Sequence, residues 1–264
     1  KIFLKNDILA PKLLNENYSK DYIEIEDFGN QTILSLLEKN KLNKTLIFNK
    51  IIKLLIKIQL IRQKKIKNFK KRNYKIPTYL PKILLDEAKL FSTWYLNQKL
   101  KRSKKILFKK NFIKIVNNLI KKLKLKNNIF VHRDFHVSNL MMVKNKIGVI
   151  DSQDALIGNR AYDLASLIDD VRFQTSTSFK KKLFNYYIKS QKKINKKEFI
   201  NDFEIISVLR NLKIIGIFTR LAVRDKKKKY LKFIPYAWNL IKLRSKNNDN
   251  FKNLNDLLNT IKKN

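Results

Sequence analysis

Along most of this chain apolar residues recur at every third or fourth position, the spacing that gathers them on one face of a helix. Ile33, Leu36 and Leu37 begin the series from Thr32 onward. Ile47, Ile51, Leu54, Leu55 and Ile58 continue it with lysines between them, which predicts a helix with one face in the core. The same spacing predicts a helix through Leu84, Leu85, Ala88, Phe91 and Tyr95. Another is expected over 109–125, with Phe112, Ile115, Val116, Leu119 and Leu123 on one side. Further helices are expected from a Ser178 cap through Leu183, Tyr186 and Tyr187, then over 199–223, about 235–243 and 251–262. Residues 1–10 read as the last turns of a helix stopped by Pro11. The basic stretch 62–82, with Pro77 and Pro81, reads as a loop, and Arg224 to Lys229 as a solvated turn. Gly216 lies inside an apolar helical pattern, which predicts close packing against another element.

The pattern changes to short apolar runs in two places. Lys12-Leu13-Leu14 and Tyr22-Ile23-Glu24-Ile25 read as strands around a polar turn, followed by Glu26-Asp27-Phe28-Gly29, where Gly29 supplies backbone freedom. Later, Leu140-Met141-Met142-Val143 and Ile147-Gly148-Val149-Ile150 flank the polar turn Lys144-Asn145-Lys146, a hairpin pattern that ends on Asp151. Val131 leads into the loop before this hairpin, His132-Arg133-Asp134-Phe135-His136-Val137-Ser138-Asn139.

That loop carries the candidate chemistry. Phosphoryl transfer from a nucleotide needs a carboxylate to orient and deprotonate the attacking hydroxyl. It also needs an amide and a carboxylate to hold magnesium on the phosphates. His132-Arg133-Asp134, with Asn139 five residues after the acid, has the spacing of a kinase catalytic loop, and Asp151 falls where the metal-binding acid belongs. His-Arg-Asp by itself is a weak signal in a Lys/Arg-rich chain, and a strand end with a solvated turn would also contain it. The added Asn139, hairpin and Asp151 favour the catalytic reading. Asp163 opens an apolar helix, so it is either a helix N-cap or, in a kinase-like fold, an acid that braces the catalytic loop.

Composition narrows the classes. The chain has 264 residues, enough for one large or two small domains. It has no cysteine and only two histidines, which excludes disulfides, thiolate metal sites and multi-histidine metal sites. No apolar stretch approaches a membrane span, and Lys1-Ile2-Phe3-Leu4-Lys5 is not the apolar region of a signal peptide, so a cytoplasmic protein without membrane partners is expected. The formal charge is +39. Lysine supplies most of it, spread over the whole chain without a stacking motif, and this argues against specific nucleic-acid recognition.

These stretches resemble the aminoglycoside phosphotransferase/choline kinase superfamily. Within it the chain looks most like the anomeric sugar kinases that phosphorylate N-acetylmuramate and N-acetylglucosamine at C1 during cell-wall recycling. The resemblance rests on Phe130 to Asp134 with Asn139-Leu140-Met141, and on Gly148 to Asp151 with Gln153-Asp154-Ala155. It extends to Leu85–Leu96 with Glu87, Phe91 and Trp94-Tyr95, and to Arg210–Arg220, Arg224-Asp225 and Tyr230-Leu231. It spans residues 1 to about 245. It implies an α+β, protein-kinase-like fold: residues 1–29 a remnant of the N-lobe and hinge, residues 30–264 a helical C-lobe with the catalytic loop and metal site.

The implied function is transfer of phosphate from ATP, with Mg2+, to a hydroxyl of an amino sugar. Asp134 would be the base, and Asn139 and Asp151 the magnesium ligands. Glu26, Asp27 and Phe28 would line the adenine end, while Glu87, Trp94 and Arg210 would lie on the sugar side. Glu87 and Trp94, seven apart on one helix, would otherwise be a surface acid and a core aromatic. His132, Arg133 and Asp163 would support the loop. Similar kinases usually have Arg where this chain has Ser138, and Phe where it has Ser152. A phosphate-covering loop, a strand lysine and its acid partner have no counterpart here. The chain is therefore expected to be the C-terminal part of a longer kinase, binding nucleotide poorly as it stands. Two other functions compete: a non-catalytic basic binding module, and a kinase for choline or an aminoglycoside.

Overall fold

The computed structural model describes residues 1–67, 72–191 and 193–262. The chain forms two compact units, each assembled from separated segments. The first contains Lys1–Thr78, Lys126–Ile168 and Thr175–Lys192; the second contains Tyr79–Leu125, Asp169–Gln174 and Lys193–Asn264.

In the first unit, α1 (Ile2–Lys5) precedes an antiparallel pair, β1 (Leu13–Asn17) and β2 (Tyr22–Ile25). The opening helix is shorter than expected, and Pro11 does not stop it. The Asn6 side chain donates to the Ile2 carbonyl, and Asp7 turns the chain at φ 51°. Then come α2 (Ile33–Glu38), capped by Thr32, and α3 (Lys44–Gln59), capped by Asn43; each cap accepts a backbone N–H of the first turn. Ile47, Ile51, Leu55 and Ile58 of α3 are buried, as their spacing predicts. The basic stretch 62–82 contains more than a loop. Lys65–Lys67 (β3) pairs antiparallel with Asn73–Lys75 (β4), Ile66 opposite Tyr74, and residues 68–71 lie outside the described residues. One cross-strand apolar pair between lysines is too little for a periodic pattern to reveal.

The rest of this unit builds the motif. β5 (Ile129–Val131), entirely buried, pairs with β8 (Leu156–Gly158), and β6 (Leu140–Val143) pairs with β7 (Lys146–Val149) as the predicted hairpin. Every residue of α6 (Ala161–Ile168) is buried. The next helix, α7 (Thr177–Lys189), is capped by Ser176 rather than Ser178: Ser176 Oγ accepts the Phe179 N–H at 3.2 Å.

The second unit is helical: α4 (Pro81–Leu90), α5 (Arg102–Lys121), α8 (Lys196–Val223), α9 (Ile234–Ser245) and α10 (Lys252–Lys262). α5 starts seven residues before the expected 109, because its lysine-rich first turns carry little apolar signal. Between Arg224 and Ile234 the expected solvated turn is partly a 3-10 segment, Lys228–Phe233. The long α8 presses its backbone on α4. A Cβ built on Gly216 would lie 2.3 Å from the Leu90 carbonyl carbon and 2.5 Å from the Phe91 nitrogen. At that junction the α-helix passes into a π-helical turn, Phe91–Tyr95.

Candidate phosphotransfer site

Strand β5 delivers the chain into the motif loop. His132 is fully buried, and its Nε2 donates to the Ile150 carbonyl at 3.0 Å. This contact ties the residue just before Asp151 to the residue just before Arg133. Asp163, also fully buried, accepts the backbone N–H of His132 at 2.7 Å and of Arg133 at 2.9 Å. Of the two roles open for Asp163, bracing is the geometry found, and the α6 start is held instead by Asn159 Oδ1, which accepts the Ala161 N–H at 2.9 Å. Arg133 takes φ 81°, a left-handed conformation rare for a residue with a Cβ, directly beside Asp134.

The hairpin brings the other two groups together. Leu140 pairs with Val149, and the Ile150 N–H donates to the Asn139 carbonyl at 3.1 Å, so Asn139 and Asp151 meet across the open end. Asn139 Nδ2 donates to Asp151 Oδ2 at 3.3 Å and to the Asp134 carbonyl at 3.1 Å. Asp151, at φ 64°, takes a second hydrogen bond on Oδ1 from Gln153 Nε2 at 2.7 Å. Asp151 is exposed, while Asp134 and Asn139 are half-buried. No group of three or more His, Asp or Glu side chains among the described residues is arranged to hold a metal. The Asn139–Asp151 pair offers one amide oxygen and one carboxylate.

A cavity of about 320 Å³ opens beside Asp151. Its walls include Ala10, Ile25, Phe130 and Val149, and Ser152 and Gln153 line its polar end. Ile25 lines it, while Glu26, Asp27 and Phe28 are not among its described lining. Glu26 pairs with the Lys12 backbone through both its N–H and Oε2, and Asp27 Oδ1 accepts the Gly29 N–H. Phe28 lies so close over β7 that a Cβ on Gly148 would come within 2.6 Å of its ring.

The remaining expected residues belong to the second unit. Glu87 is not a surface acid: it is 9% exposed, with Oε1 2.9 Å from Lys213 Nζ and Oε2 accepting the Tyr79 hydroxyl. Trp94 is half-buried within the π-helical turn, which breaks the regular spacing that would align it with Glu87. Arg210 is buried on α8. Gln59 escaped the sequence reading, and Tyr187 was read only as an apolar helix position; in the first unit the two hydrogen-bond to each other at 2.6 Å. The signal for Gln59 was present: it stands four residues after Leu55, a polar group on the apolar face of α3.

A braced His-Arg-Asp loop followed by a hairpin that joins an amide to an acid defines a protein-kinase-like fold. Solved structures agree: the choline/ethanolamine kinase family protein from Mesorhizobium loti superposes with a TM-score of 0.62 at 10% identity, covering 100% of this chain and 80% of that one. The chain belongs to the phosphotransferase enzyme family, whose pattern matches residues 11–195. Among curated proteins it is similar to the N-acetylmuramate/N-acetylglucosamine kinase of Neisseria meningitidis serogroup B, 30% identical over 241 residues, 88% of this chain and 70% of that relative. The kinase of the same name from Pseudomonas aeruginosa is 27% identical over 232 residues, 86% of this chain and 65% of that relative.

Proposed function

We propose that the protein transfers phosphate from ATP to a hydroxyl of an amino sugar, most simply the anomeric hydroxyl of N-acetylmuramate or N-acetylglucosamine, in cytoplasmic recycling of cell-wall sugars. The observation that carries this is the meeting of Asn139 and Asp151 beside the Asp134 backbone. In this proposal Asp134 accepts the proton of the attacking hydroxyl. Asn139 and Asp151 would hold Mg2+, and their amide oxygen and carboxylate are the hard oxygen donors that such a cation takes. When bound, the ion offsets the charge on the transferring phosphoryl oxygens. Residues 1–29 are the proposed remnant of an N-lobe and hinge, with Glu26, Asp27 and Phe28 at the adenine end, and 30–264 the helical C-lobe. Glu87, with its Lys213 ion pair intact, Trp94 and Arg210 are the proposed sugar contacts. A lactyl carboxylate on the sugar suits a chain of charge +39 better than a cationic aminoglycoside or choline does.

The test is ADP release by the intact protein with a panel of amino sugars, choline and aminoglycosides, with and without Mg2+. Turnover is expected with an N-acetylated amino sugar, only with Mg2+, and Asp134→Asn should lower kcat by about a hundredfold or more while nucleotide affinity is kept. Undiminished turnover in Asp134→Asn rejects Asp134 as the base. Turnover with choline or an aminoglycoside alone rejects the sugar. Magnesium-independent nucleotide binding without any turnover replaces the enzyme with a basic binding module.

A further inference from the structure

Helix α6 carries the Asp163 carboxylate that grips the loop, and side chains from α3 and α7 hold it at both ends. At its start, the Arg160 carbonyl accepts from Gln59 Nε2 at 3.0 Å. Gln59 Oε1 in turn accepts the Tyr187 hydroxyl at 2.6 Å. At its end, the Ile168 carbonyl accepts from Lys180 Nζ. Lys180 and Tyr187 stand seven residues apart on α7, two full turns, so one face of that helix serves both ends of α6. Gln59 is 5% exposed and Tyr187 is fully buried.

The amide of Gln59 stands in the orientation that serves both partners: its oxygen accepts from the Tyr187 hydroxyl, and its nitrogen donates to the Arg160 carbonyl, which can only accept. Burial pushes the Tyr187 hydroxyl above its ordinary value of 10, so it remains a donor throughout the working pH range. The connection then runs without a gap through the first unit: Tyr187, Gln59, the Arg160 carbonyl, the first turn of α6, Asp163, and the N–H groups of His132 and Arg133. Asp134 is the next residue.

We infer that Gln59 and Tyr187 are positioning residues for the Asp134 loop, acting through the Arg160 carbonyl and Asp163. Their catalytic consequence rests on the kinase proposal; their physical consequence does not. Both are assigned an action through other residues, not on a reacting atom. They fix the first turn of α6 and with it the carboxylate that holds Arg133 in its left-handed conformation.

Amide hydrogen exchange on the intact protein, without substrate, tests this. Tyr187→Phe removes only the hydroxyl and keeps the ring, and Gln59→Met keeps the length and removes the amide. Both should speed exchange at His132 and Arg133 by about tenfold, while the β6–β7 amides stay within about twofold of the parent. A general loss of stability would raise exchange at both places together, and that outcome overturns the inference, as does unchanged protection at His132 and Arg133. Where turnover is measurable, kcat should fall about tenfold with KM for nucleotide unchanged; an equal rise in KM at constant kcat also overturns it. A parent without turnover defeats the kinase proposal, while the exchange result still decides the positioning role.

Discussion

His132 sits between rings, stacked on Phe3 with centroids 6.0 Å apart and edge-on to Phe135. Burial pulls its pKa below the ordinary 6.5, against smaller opposing pulls from the Ile150 hydrogen bond and from Asp134 and Asp151. Its Nδ1 has no hydrogen-bond partner, so a proton added there would be a buried charge without an acceptor. Because the folded pKa lies below the unfolded one, the unfolded chain binds the extra proton more readily. The stabilisation is therefore complete above pH 6.5 and is lost as pH falls from there through the folded value. The melting temperature should drop between pH 7 and pH 5, and the drop should be smaller in His132→Gln; equal slopes in a pH series of thermal melts would assign the loss to other groups. At this scale the spacing of Asp134, Asn139 and Asp151 was legible in the sequence, and the fold brings Asn139 to both Asp151 and the Asp134 carbonyl. It left Asp163 open between two roles, because a carboxylate in a first helical turn looks the same whether it caps its own helix or reaches a loop thirty residues away.

Helices are the elements that the apolar pattern defines best, since a stripe such as that on α3 repeats over several turns. The exceptions have particular causes. β3 and β4 are three residues each, too short for an alternation to repeat against lysines. The π-helical turn Phe91–Tyr95 inserts its irregularity where the backbone of α8 arrives, and no local sequence feature announces it. Gly216 was legible as a close-packing site, and its measure is the near-collision of a Cβ with the Leu90 and Phe91 backbone. Backbone atoms cannot swing aside as a side-chain tip can. Gly216→Ala should therefore destabilise by about 1–3 kcal/mol despite its better helix propensity. Urea unfolding measures this, and a neutral or stabilising result would mean that α4 yields at this junction.

For the molecule as a whole, the charge of +39 is the dominant physical fact. Few acids oppose it: the ion pairs among the described residues include buried or half-buried ones, such as Arg244 on Asp169 at 2.8 Å and Lys213 on Glu87 at 2.9 Å, and exposed ones such as Arg224 on Asp225. Most lysines face water beside other lysines, and their repulsion is stronger in the folded chain than in the expanded one. Added salt screens it over about 10 Å at 0.1 M. The melting temperature should rise by several degrees between low salt and about 0.3 M sodium chloride, whereas a fall would show that the ion pairs outweigh the repulsion. No helix among the described residues is long and apolar enough to cross a membrane.

What the sequence determined is whatever repeats or is chemically spaced: the helical stripes, the hairpin that ends on Asp151, and the order Asp134, Asn139, Asp151. Those signals are local, set by side-chain periodicity and by a few residues whose separation fits one reaction. Only the tertiary structure decided what depends on distant segments. It buried Glu87 against Lys213 and Tyr79, turned Asp163 toward the loop instead of its own helix, and joined Gln59 to Tyr187 across 128 residues. A buried polar group is costly without a partner, and which partner is near is settled by how the helices pack, a fact that no window of sequence contains.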